Sequence, residues 1–327
     1  MENQLTQNNT LRQLFSIVII ILLFAVVITM ILSFVLGPYV IFNTDIGQQL
    51  EGKLQEYYIF IIGFLLALPF EAGIQQQFIL EWVIYLSIFT ILAFSGKESL
   101  IKAFKKSYKE DAIKLFDNDL LATISIFSIT IILVYIIDIF QNQIGIPSGS
   151  LPETNPAKLL AYVSHAPISE EIGFRLSIIG LFSLLIVQGW RVKIPIIEYL
   201  IAPIPTLRNL ATMTDKKSEI TKLFIPLIIS SGLLFGFAHI TPGSTWEIGK
   251  LSEATVAGIM LGIAYSYYGI GAAILTHWGF NYYSNAIYIF EEQVVNLNIS
   301  TFSNNIILAL GTVLIMYYAL KFIVHRM

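Results

Sequence analysis

Long apolar runs separated by short polar stretches dominate the sequence. An α-helix needs about 20 apolar residues to cross a hydrocarbon core about 30 Å thick, and several runs approach or exceed that length. We predict helices over Leu14–Leu36, Tyr57–Phe70, Phe78–Phe94, Leu121–Phe140, Leu159–Val187, Leu223–Ile240, Ala254–Tyr267, Ala272–Phe290 and Asn305–Val324. The run Tyr57–Phe70 is short, so it is either a crossing or a re-entrant or interfacial segment. The pattern predicts an all-α, polytopic transmembrane helix bundle of about eight helices.

The composition agrees with a membrane protein and excludes several other classes. Hydrophobic residues make up 56% of the chain and charged residues 13%, whereas a soluble domain has about 25% charged residues. The net charge of −3 is too balanced for a nucleic-acid-binding protein. The chain has no cysteine, which excludes disulfides, thiol nucleophiles and cysteine-ligated metals. Leu14–Leu36 is too long for the core of a signal peptide, and we predict a retained helix.

Basic residues are distributed unevenly among the predicted connections. Six lysines lie in the segment 95–118, and further basic residues cluster in 191–222 and in the C-terminal tail. The connections 141–158 and 291–304 contain one basic residue between them, Lys158. Because loops rich in Lys and Arg stay in the cytoplasm, we expect a multi-pass protein of the cell membrane whose C-terminus is cytoplasmic.

A set of charged and polar side chains lies within three of the predicted helices. A charge at mid-bilayer costs roughly 3 kcal/mol, so such residues indicate function by default. Residues four positions apart share a helix face, so the two side chains of each such pair face the same way, and Glu171 and Arg175 have the favourable order for an ion pair. The set comprises Glu170, Glu171 and Arg175 in the first helix, Phe235 and His239 in the second, and His277 and Asn281 in the third.

Other polar residues in apolar surroundings have a simpler interpretation. The single acids, Glu81 among them, are interpreted as interfacial or packed carboxyl groups, and His165 as a residue at the start of its helix. Pro167 suits the first turn of a helix, which would place Glu170 near the positive end of the helix dipole. A lone intramembrane His or Asn is commonly a contact between helices, worth about 0.6 kcal/mol. The convergence of the whole set in one half of the chain favours a functional site.

The three motifs, taken in order, resemble the CAAX-protease and bacteriocin-processing family of intramembrane proteases. The family signature is a Glu-Glu pair with an Arg four residues after the second Glu, then Phe-x-x-x-His, then His-x-x-x-Asn. The resemblance extends from about residue 157 to about residue 290. It divides the chain into N-terminal helices of unassigned role (1–156), a protease core (157–290) and a C-terminal helix with a short tail (291–327). One departure is Leu176, where many members have Gly.

The resemblance implies an endopeptidase that hydrolyses a peptide bond in a membrane-associated protein or peptide, prenylated CAAX-type substrates included, without a cofactor. Glu170 would activate water as general base while His239 holds the same water. His277 and Asn281 would form the oxyanion site. The chemistry is reasonable in itself, because a carboxylate can deprotonate water and imidazole and amide N–H groups can stabilise an oxyanion. The supporting residues would be Glu171, Arg175 and Phe235.

Three alternatives stay open. Glu170, His239 and His277 could supply the three ligands of a catalytic zinc, although the usual His-Glu-x-x-His helix is absent and the metal-free mechanism is preferred. A non-catalytic membrane scaffold or bacteriocin-immunity protein would keep the same fold, and a transporter would use the same residues as a proton relay. The charge rule also places the 141–158 side outside the cytoplasm, whereas an enzyme acting on prenylated C-termini should open to the cytoplasm.

Overall fold

The computed structural model describes residues 2–151, 155–190, 193–210, 216–241, 245–295 and 297–326. Within these ranges, the side chains of 2–12, 70, 217 and 324–326 are not described, and Arg191 of the second basic connection lies outside them. Five helices of this part of the chain are long and apolar enough to cross a membrane. They are Gln13–Asn43, Ile74–Phe94, Asp119–Gln143, Ser218–His239 and Ile299–Ile323. The prediction of a helical, multi-pass membrane bundle is therefore supported.

The chain is mainly helical, with one β-hairpin. The α-helices are α1 (Glu2–Asn43), α2 (Asp45–Gln48), α3 (Ile74–Phe94), α4 (Leu100–Lys109), α5 (Asp119–Gln143), α6 (Pro156–Glu171), α7 (Phe182–Gln188), α8 (Ile196–Ile201), α9 (Pro203–Asn209), α10 (Lys217–His239), α11 (Gly249–Tyr268), α12 (Ile270–Trp278), α13 (Ser284–Phe290) and α14 (Ile299–Arg326). Strands β1 (Leu54–Ile61) and β2 (Phe64–Gly73) lie between α2 and α3, and a 3-10 turn (Ala112–Asp117) precedes α5.

Among the described residues of the second half, three π-helical segments interrupt the α-helices. Ile172–Leu181 joins α6 to α7, Gly279–Tyr283 joins α12 to α13, and Glu291–Val295 extends α13. Counted through these segments, the described residues form eight continuous helical runs of at least 20 residues. In the runs 156–188 and 270–295 no single α-helical segment has the length of a membrane span. The number of actual crossings stays a prediction.

The predicted helix Tyr57–Phe70 is wrong, because this segment forms the β1–β2 hairpin. Ile61 pairs with Phe64 across a two-residue turn, and both turn residues have positive φ, 49° at Ile62 and 77° at Gly63. Positive φ at both positions is what a type I′ hairpin turn requires. The physical reasons are local. The run is too short to span a bilayer, it is rich in aromatic and β-branched residues, and Pro69 would break a helix interior.

Helix α6 begins earlier than Pro167, contrary to the expectation above. Asn155 caps it, its side chain accepting a hydrogen bond from the Lys158 amide at 3.0 Å, and Pro156 occupies the first helical position. This arrangement is the usual helix start, with an Asn cap followed by a proline. Pro167 therefore lies inside the helix, and Glu170 lies 15 residues from its start rather than in the first turn.

The N-terminal helices pack directly against the second half of the chain. Trp82 of α3 stacks on Phe34 of α1 with ring centroids 4.8 Å apart. The Tyr85 hydroxyl donates to the Ser164 carbonyl of α6 at 2.5 Å. Trp278 of α12 is fully buried and lies 5.4 Å from the Phe89 ring of α3. These contacts make α1 and α3 part of the support for the helices that contain the polar set.

Candidate active site

The structure brings all of the predicted polar residues into one buried region. Glu170 and Glu171 end α6, and Arg175 lies in the π-helical segment that follows. His239 is the last residue of α10, with Phe235 one turn earlier. His277 lies near the end of α12, and Asn281 lies in the second π-helical segment. The expected ion pair between Glu171 and Arg175 is present, and the side chains of Phe235 and His239 and of His277 and Asn281 are also in contact.

The most buried part of the site is an ion pair. Arg175 Nη1 lies 3.2 Å from Glu171 Oε1, and both side chains are fully buried. Arg175 Nη2 also donates to the Gly258 carbonyl of α11 at 3.2 Å. Gly258 faces Gly232 of α10, and a Cβ atom at Gly258 would lie 2.9 Å from the Gly232 Cα. Small residues let membrane helices approach closely, so this contact sets the α10–α11 spacing beside the guanidinium group.

His277 is oriented by a carboxylate from another helix. Its Nδ1 lies 2.8 Å from Glu171 Oε1, and because a carboxylate accepts, Nδ1 carries the hydrogen. Its Nε2 lies 3.2 Å from Asn281 Nδ2. Glu171 therefore contacts both Arg175 and His277, and one carboxylate holds two elements of the site together.

Glu170 is the more exposed of the two neighbouring glutamates. Its Oε2 is buried, lies 3.7 Å from His277 Nε2, and has no hydrogen-bond partner among the described residues. Its side chain is 14% exposed, compared with 0% for Glu171. Buried carboxylate oxygens are normally hydrogen-bonded, so an exception indicates a site for a ligand or a reactant.

His239 completes the region from α10. Its Nδ1 donates to the Phe235 carbonyl at 2.8 Å, so that a neutral ring presents a lone pair at Nε2. The ring lies 4.6 Å from the Phe235 ring and is within electrostatic range of Glu170. Phe235 also contacts Arg175, whose guanidinium carbon lies 4.3 Å from the ring centroid, and the His277 ring at 5.7 Å. Phe235 therefore contacts the Arg175 guanidinium and the rings of both histidines.

The π-helical segment after Glu171 is held by contacts from neighbouring elements. The Ser231 hydroxyl of α10 donates to the Phe174 carbonyl at 2.8 Å, and the Gly63 amide at the hairpin turn donates to the Gly173 carbonyl at 3.1 Å. Phe60 of β1 packs on Phe174 with ring centroids 5.6 Å apart. Single π-helical turns occur frequently at functional sites, and this one follows directly after the paired glutamates.

The described residues contain no set of side chains already arranged to bind a zinc ion. Among the described residues no three His, Cys, Asp or Glu side chains are placed to hold a metal ion together. Glu170 and His277, two of the three proposed ligands, are 3.7 Å apart at their nearest charged atoms. An Asn amide nitrogen, rather than a ligand atom, lies next to His277 Nε2. Metal dependence therefore remains a matter for the chelator experiment described below.

Two contacts at or near the site could not be read from the sequence. Glu171 and His277 are 106 positions apart, and Glu81 and His165, which were interpreted as unrelated residues, form a buried pair with Nδ1 and Oε1 2.9 Å apart. Both link different helices. The only sequence signal for either was the presence of a titratable side chain in an apolar run.

The comparisons with known proteins give one similarity. Residues 152–283 match the family described as Type II CAAX prenyl endopeptidase Rce1-like. The matched segment contains every residue of the site from Glu170 to Asn281, and this part of the chain is similar to that family. A search of curated proteins found no match, and neither did a search of solved structures. The hairpin and helices α1 to α5 lie outside the matched segment.

Proposed function

We propose that this protein is an intramembrane endopeptidase that hydrolyses a peptide bond in a membrane-associated, CAAX-type substrate by a metal-free glutamate mechanism. The observation that carries the proposal is the buried Glu170 Oε2, which has no hydrogen-bond partner among the described residues and faces His277 in the segment that matches the endopeptidase family. A scaffold or immunity protein of this fold would not need these residues, and none of them is replaced here.

Glu170 acts as the general base. It takes a proton from a water whose oxygen attacks the scissile carbonyl carbon, while the lone pair of His239 Nε2 positions the same water. The tetrahedral oxyanion is stabilised by Asn281 and His277, at about 3 kcal/mol per donor. Glu170 then gives the proton to the leaving nitrogen as the C–N bond breaks, which leaves a carboxylic acid and an amine; the acid then loses its proton to solvent.

Glu171 orients His277. The His277 Nδ1–H donates to the Glu171 carboxylate at 2.8 Å, which turns Nε2 toward Asn281 and Glu170. Glu171 is thus a positioning residue that acts through His277.

The test is cleavage of a quenched prenylated peptide and a panel of membrane peptides by the purified full chain. The decisive variant is Glu170→Gln, which keeps the side-chain shape and removes the base. The matched control is Glu71→Gln, because Glu71 is an exposed carboxylate on β2. Every reaction is run with and without a strong zinc chelator.

We expect Glu170→Gln to reduce turnover by at least 10³-fold, which corresponds to about 4 kcal/mol, and Glu71→Gln to leave it unchanged. Turnover should survive the chelator. Activity lost on chelation would replace the glutamate mechanism with the zinc alternative. Activity that survives Glu170→Gln would contradict the assignment of the base, and a wild-type chain that cleaves none of the peptides would favour the scaffold.

A further inference from the structure

A second cluster of buried polar groups lies outside the proposed catalytic set. Glu81 of α3 and His165 of α6 are 1% and 4% exposed, and Glu81 Oε1 lies 2.9 Å from His165 Nδ1. The Gln77 amide donates to Glu81 Oε1 at 2.6 Å, and Gln55 of β1 donates to Gln77 Oε1 at 2.5 Å. His165 Nε2 lies 2.9 Å from the Tyr58 carbonyl of β1. The cluster therefore joins two helices to strand β1.

The geometry of this cluster fixes where its protons lie. The Tyr58 carbonyl only accepts, so His165 Nε2 must carry a hydrogen. A proton must also lie between His165 Nδ1 and Glu81 Oε1, since otherwise two lone pairs would face each other at 2.9 Å. Whichever atom holds it, the pair is neutral overall, which suits its burial. The ring is further enclosed by Tyr57 and Tyr58, at centroid distances of 5.1 and 4.6 Å.

Strand β1 runs along the catalytic helix past Glu170. The Tyr58 ring lies against His165, five residues before Glu170, and Phe60 lies against Phe174, four residues after it. Glu170 is close enough to the Tyr58 hydroxyl to interact with it electrostatically, and this hydroxyl is buried. Tyr58 and Phe60 therefore contact the helix before and after the position of Glu170.

We propose that the Glu81–His165 pair is a positioning element of the active site. It fixes strand β1 beside Glu170 and so makes Tyr58 and Phe60 the wall against which the substrate segment packs during cleavage. The part of the proposal that concerns the substrate rests on the proposed function. The packing of β1 against the helix can be measured without any cleavage. Glu81 and His165 act only through β1 and do not contact the reacting atoms.

Two substitutions of Glu81 separate the effect of its hydrogen bonds from the effect of its charge. In Glu81→Gln the new amide can donate one hydrogen to His165 Nδ1 and one to Gln77 Oε1, if the amides of Gln77 and Gln55 reverse their orientation. Each of these hydrogen bonds then still has a donor and an acceptor, and His165 still donates to Tyr58. In Glu81→Met, a side chain of similar length, the partner of His165 Nδ1 is lost. The two variants form a matched pair at one position.

The first measurement is the cleavage kinetics of these variants in the full chain. We expect Glu81→Gln to keep kcat/KM within about threefold of wild type. We expect Glu81→Met to lower kcat/KM at least tenfold, mainly through a higher KM, because the wall moves while Glu170 and His239 stay in place; these factors correspond to about 0.7 and 1.4 kcal/mol. An equal loss of kcat/KM in both variants would show that the carboxylate of Glu81, and not its hydrogen bonds alone, is required. That result would overturn the proposal.

The second measurement follows the strand itself and needs no substrate. The chain has no cysteine, so Phe60→Cys introduces a single thiol at the packed face of β1, and Phe64→Cys introduces one at the hairpin turn, where the side chain is 76% exposed. We expect Glu81→Met to speed maleimide labelling at position 60 at least fivefold and to leave position 64 unchanged. Glu81→Gln should change neither rate.

The two measurements fail in different ways. If no peptide is cleaved by wild type but position 60 becomes accessible only in Glu81→Met, the proposed function fails and the role of the pair in docking β1 stands. If labelling at position 60 is the same in all backgrounds, the pair does not hold β1 and the proposal is wrong. Activity unchanged in Glu81→Met would equally show that the wall does not affect catalysis.

Discussion

Glu171 has two buried partners, and its loss should therefore have two separable effects. The carboxylate balances the Arg175 guanidinium at 3.2 Å and orients His277 at 2.8 Å. Both charges of the ion pair are fully buried. Breaking a buried ion pair is costly because it leaves one charge without compensation, whereas removing both charges is tolerated far better.

We predict that Glu171→Gln lowers the free energy of unfolding by about 3–5 kcal/mol, because the Arg175 charge stays buried without its partner. The double variant Glu171→Gln/Arg175→Met should recover most of this loss. Neither variant should have wild-type activity, since a neutral amide oxygen holds the His277 Nδ1–H more weakly than a carboxylate does, and we expect a loss of at least 10²-fold in kcat. Chemical unfolding of the purified variants and the peptide assay measure the two effects.

A double variant with wild-type turnover would contradict the role of Glu171 in positioning His277. A double variant no more stable than Glu171→Gln would show that Arg175 is balanced by other groups.

For individual residues, the sequence could predict which side chains lie together on one helix, but it could not predict which side chains of different helices are in contact. The pairs Glu171–Arg175 and His277–Asn281 follow from the helical repeat, and the structure contains both. The contact of His277 with Glu171 depends on how α6 packs against α12, which the periodicity of a single helix does not contain. The family resemblance singled out both residues but not the contact between them.

The β1–β2 hairpin contacts the helical run 156–188 at Gly173, where there is no space for a side chain. A Cβ atom at Gly173 would lie 2.1 Å from the Phe60 Cβ and 2.9 Å from the Phe60 carbonyl carbon. The close approach allows the Gly63 amide to reach the Gly173 carbonyl. Gly173 is therefore required by the hairpin as much as by the helix.

We predict that Gly173→Ala destabilises the protein by about 1–3 kcal/mol through overpacking, although alanine is otherwise favoured in helices. Phe60→Ala should not rescue it, because the clash is with the Cβ and backbone of residue 60. The control is Gly271→Ala in α12, where a Cβ would lie 3.4 Å from Ile88, an ordinary contact. Thermal unfolding of the three variants tests this, and equal stability of Gly173→Ala and wild type would contradict the contact.

The hairpin was missed for a physical reason. The residues 57–70 are almost uniformly apolar, and a uniform run shows neither the alternation of a strand nor the 3.6-residue repeat of a helix. Membrane context favours a helix for such a run, but its length of 14 residues and Pro69 argued against one. The turn is also unusual, since Ile62 adopts positive φ, which sequence rules assign to Gly or Asn.

The segment before α5 is tied to the last helix by Asp111. Its carboxylate accepts hydrogen bonds from the Tyr317 hydroxyl, from Lys321 at 3.1 Å and from the Ile113 amide at 2.9 Å. Burial alone would raise the pKa of Asp111, but these hydrogen bonds outweigh it and lower the pKa from its usual value of 3.8. The hydrogen bonds of ionised Asp111 therefore stabilise the folded state fully above pH 3.8. This stabilisation is lost as the pH falls through the lower pKa of Asp111 in the folded state.

We predict that Asp111→Asn lowers the free energy of unfolding by about 1 kcal/mol at neutral pH. The difference from wild type should stay constant from pH 7 to pH 5 and shrink below pH 3.8, because protonation of wild-type Asp111 then removes the same interactions. The measurement is the thermal midpoint of both proteins across this range. A difference that shrinks already between pH 7 and pH 5 would show that another group is responsible.

The position of the site within the whole molecule follows from the ends of the helices. The connection after α5 and the connection between α10 and α11 lie on the same side, since the Glu247 amide donates to the Ser148 carbonyl at 3.0 Å. His239 ends α10 at this side, whereas Glu170 lies about 21 Å along α6 from its start. His277 lies about 11 Å from the start of α12 at the opposite side. Of these residues His239 therefore lies nearest the 141–158 side, and Glu170 and His277 lie deeper in the bundle.

Which side of the membrane this is decides the class of substrate, and the cysteine-free chain allows a direct test. Lys105 in the lysine-rich segment and Gln143 at the end of α5 are both exposed. The charge distribution predicts that the basic segments face the cytoplasm, so we expect an impermeant maleimide to label Gln143→Cys but not Lys105→Cys in intact cells. After permeabilisation both should react, which controls for thiol reactivity. This result would favour a substrate presented from the outer face or from within the bilayer. The reversed pattern would contradict the charge rule for this chain and would open the site to prenylated C-termini in the cytoplasm.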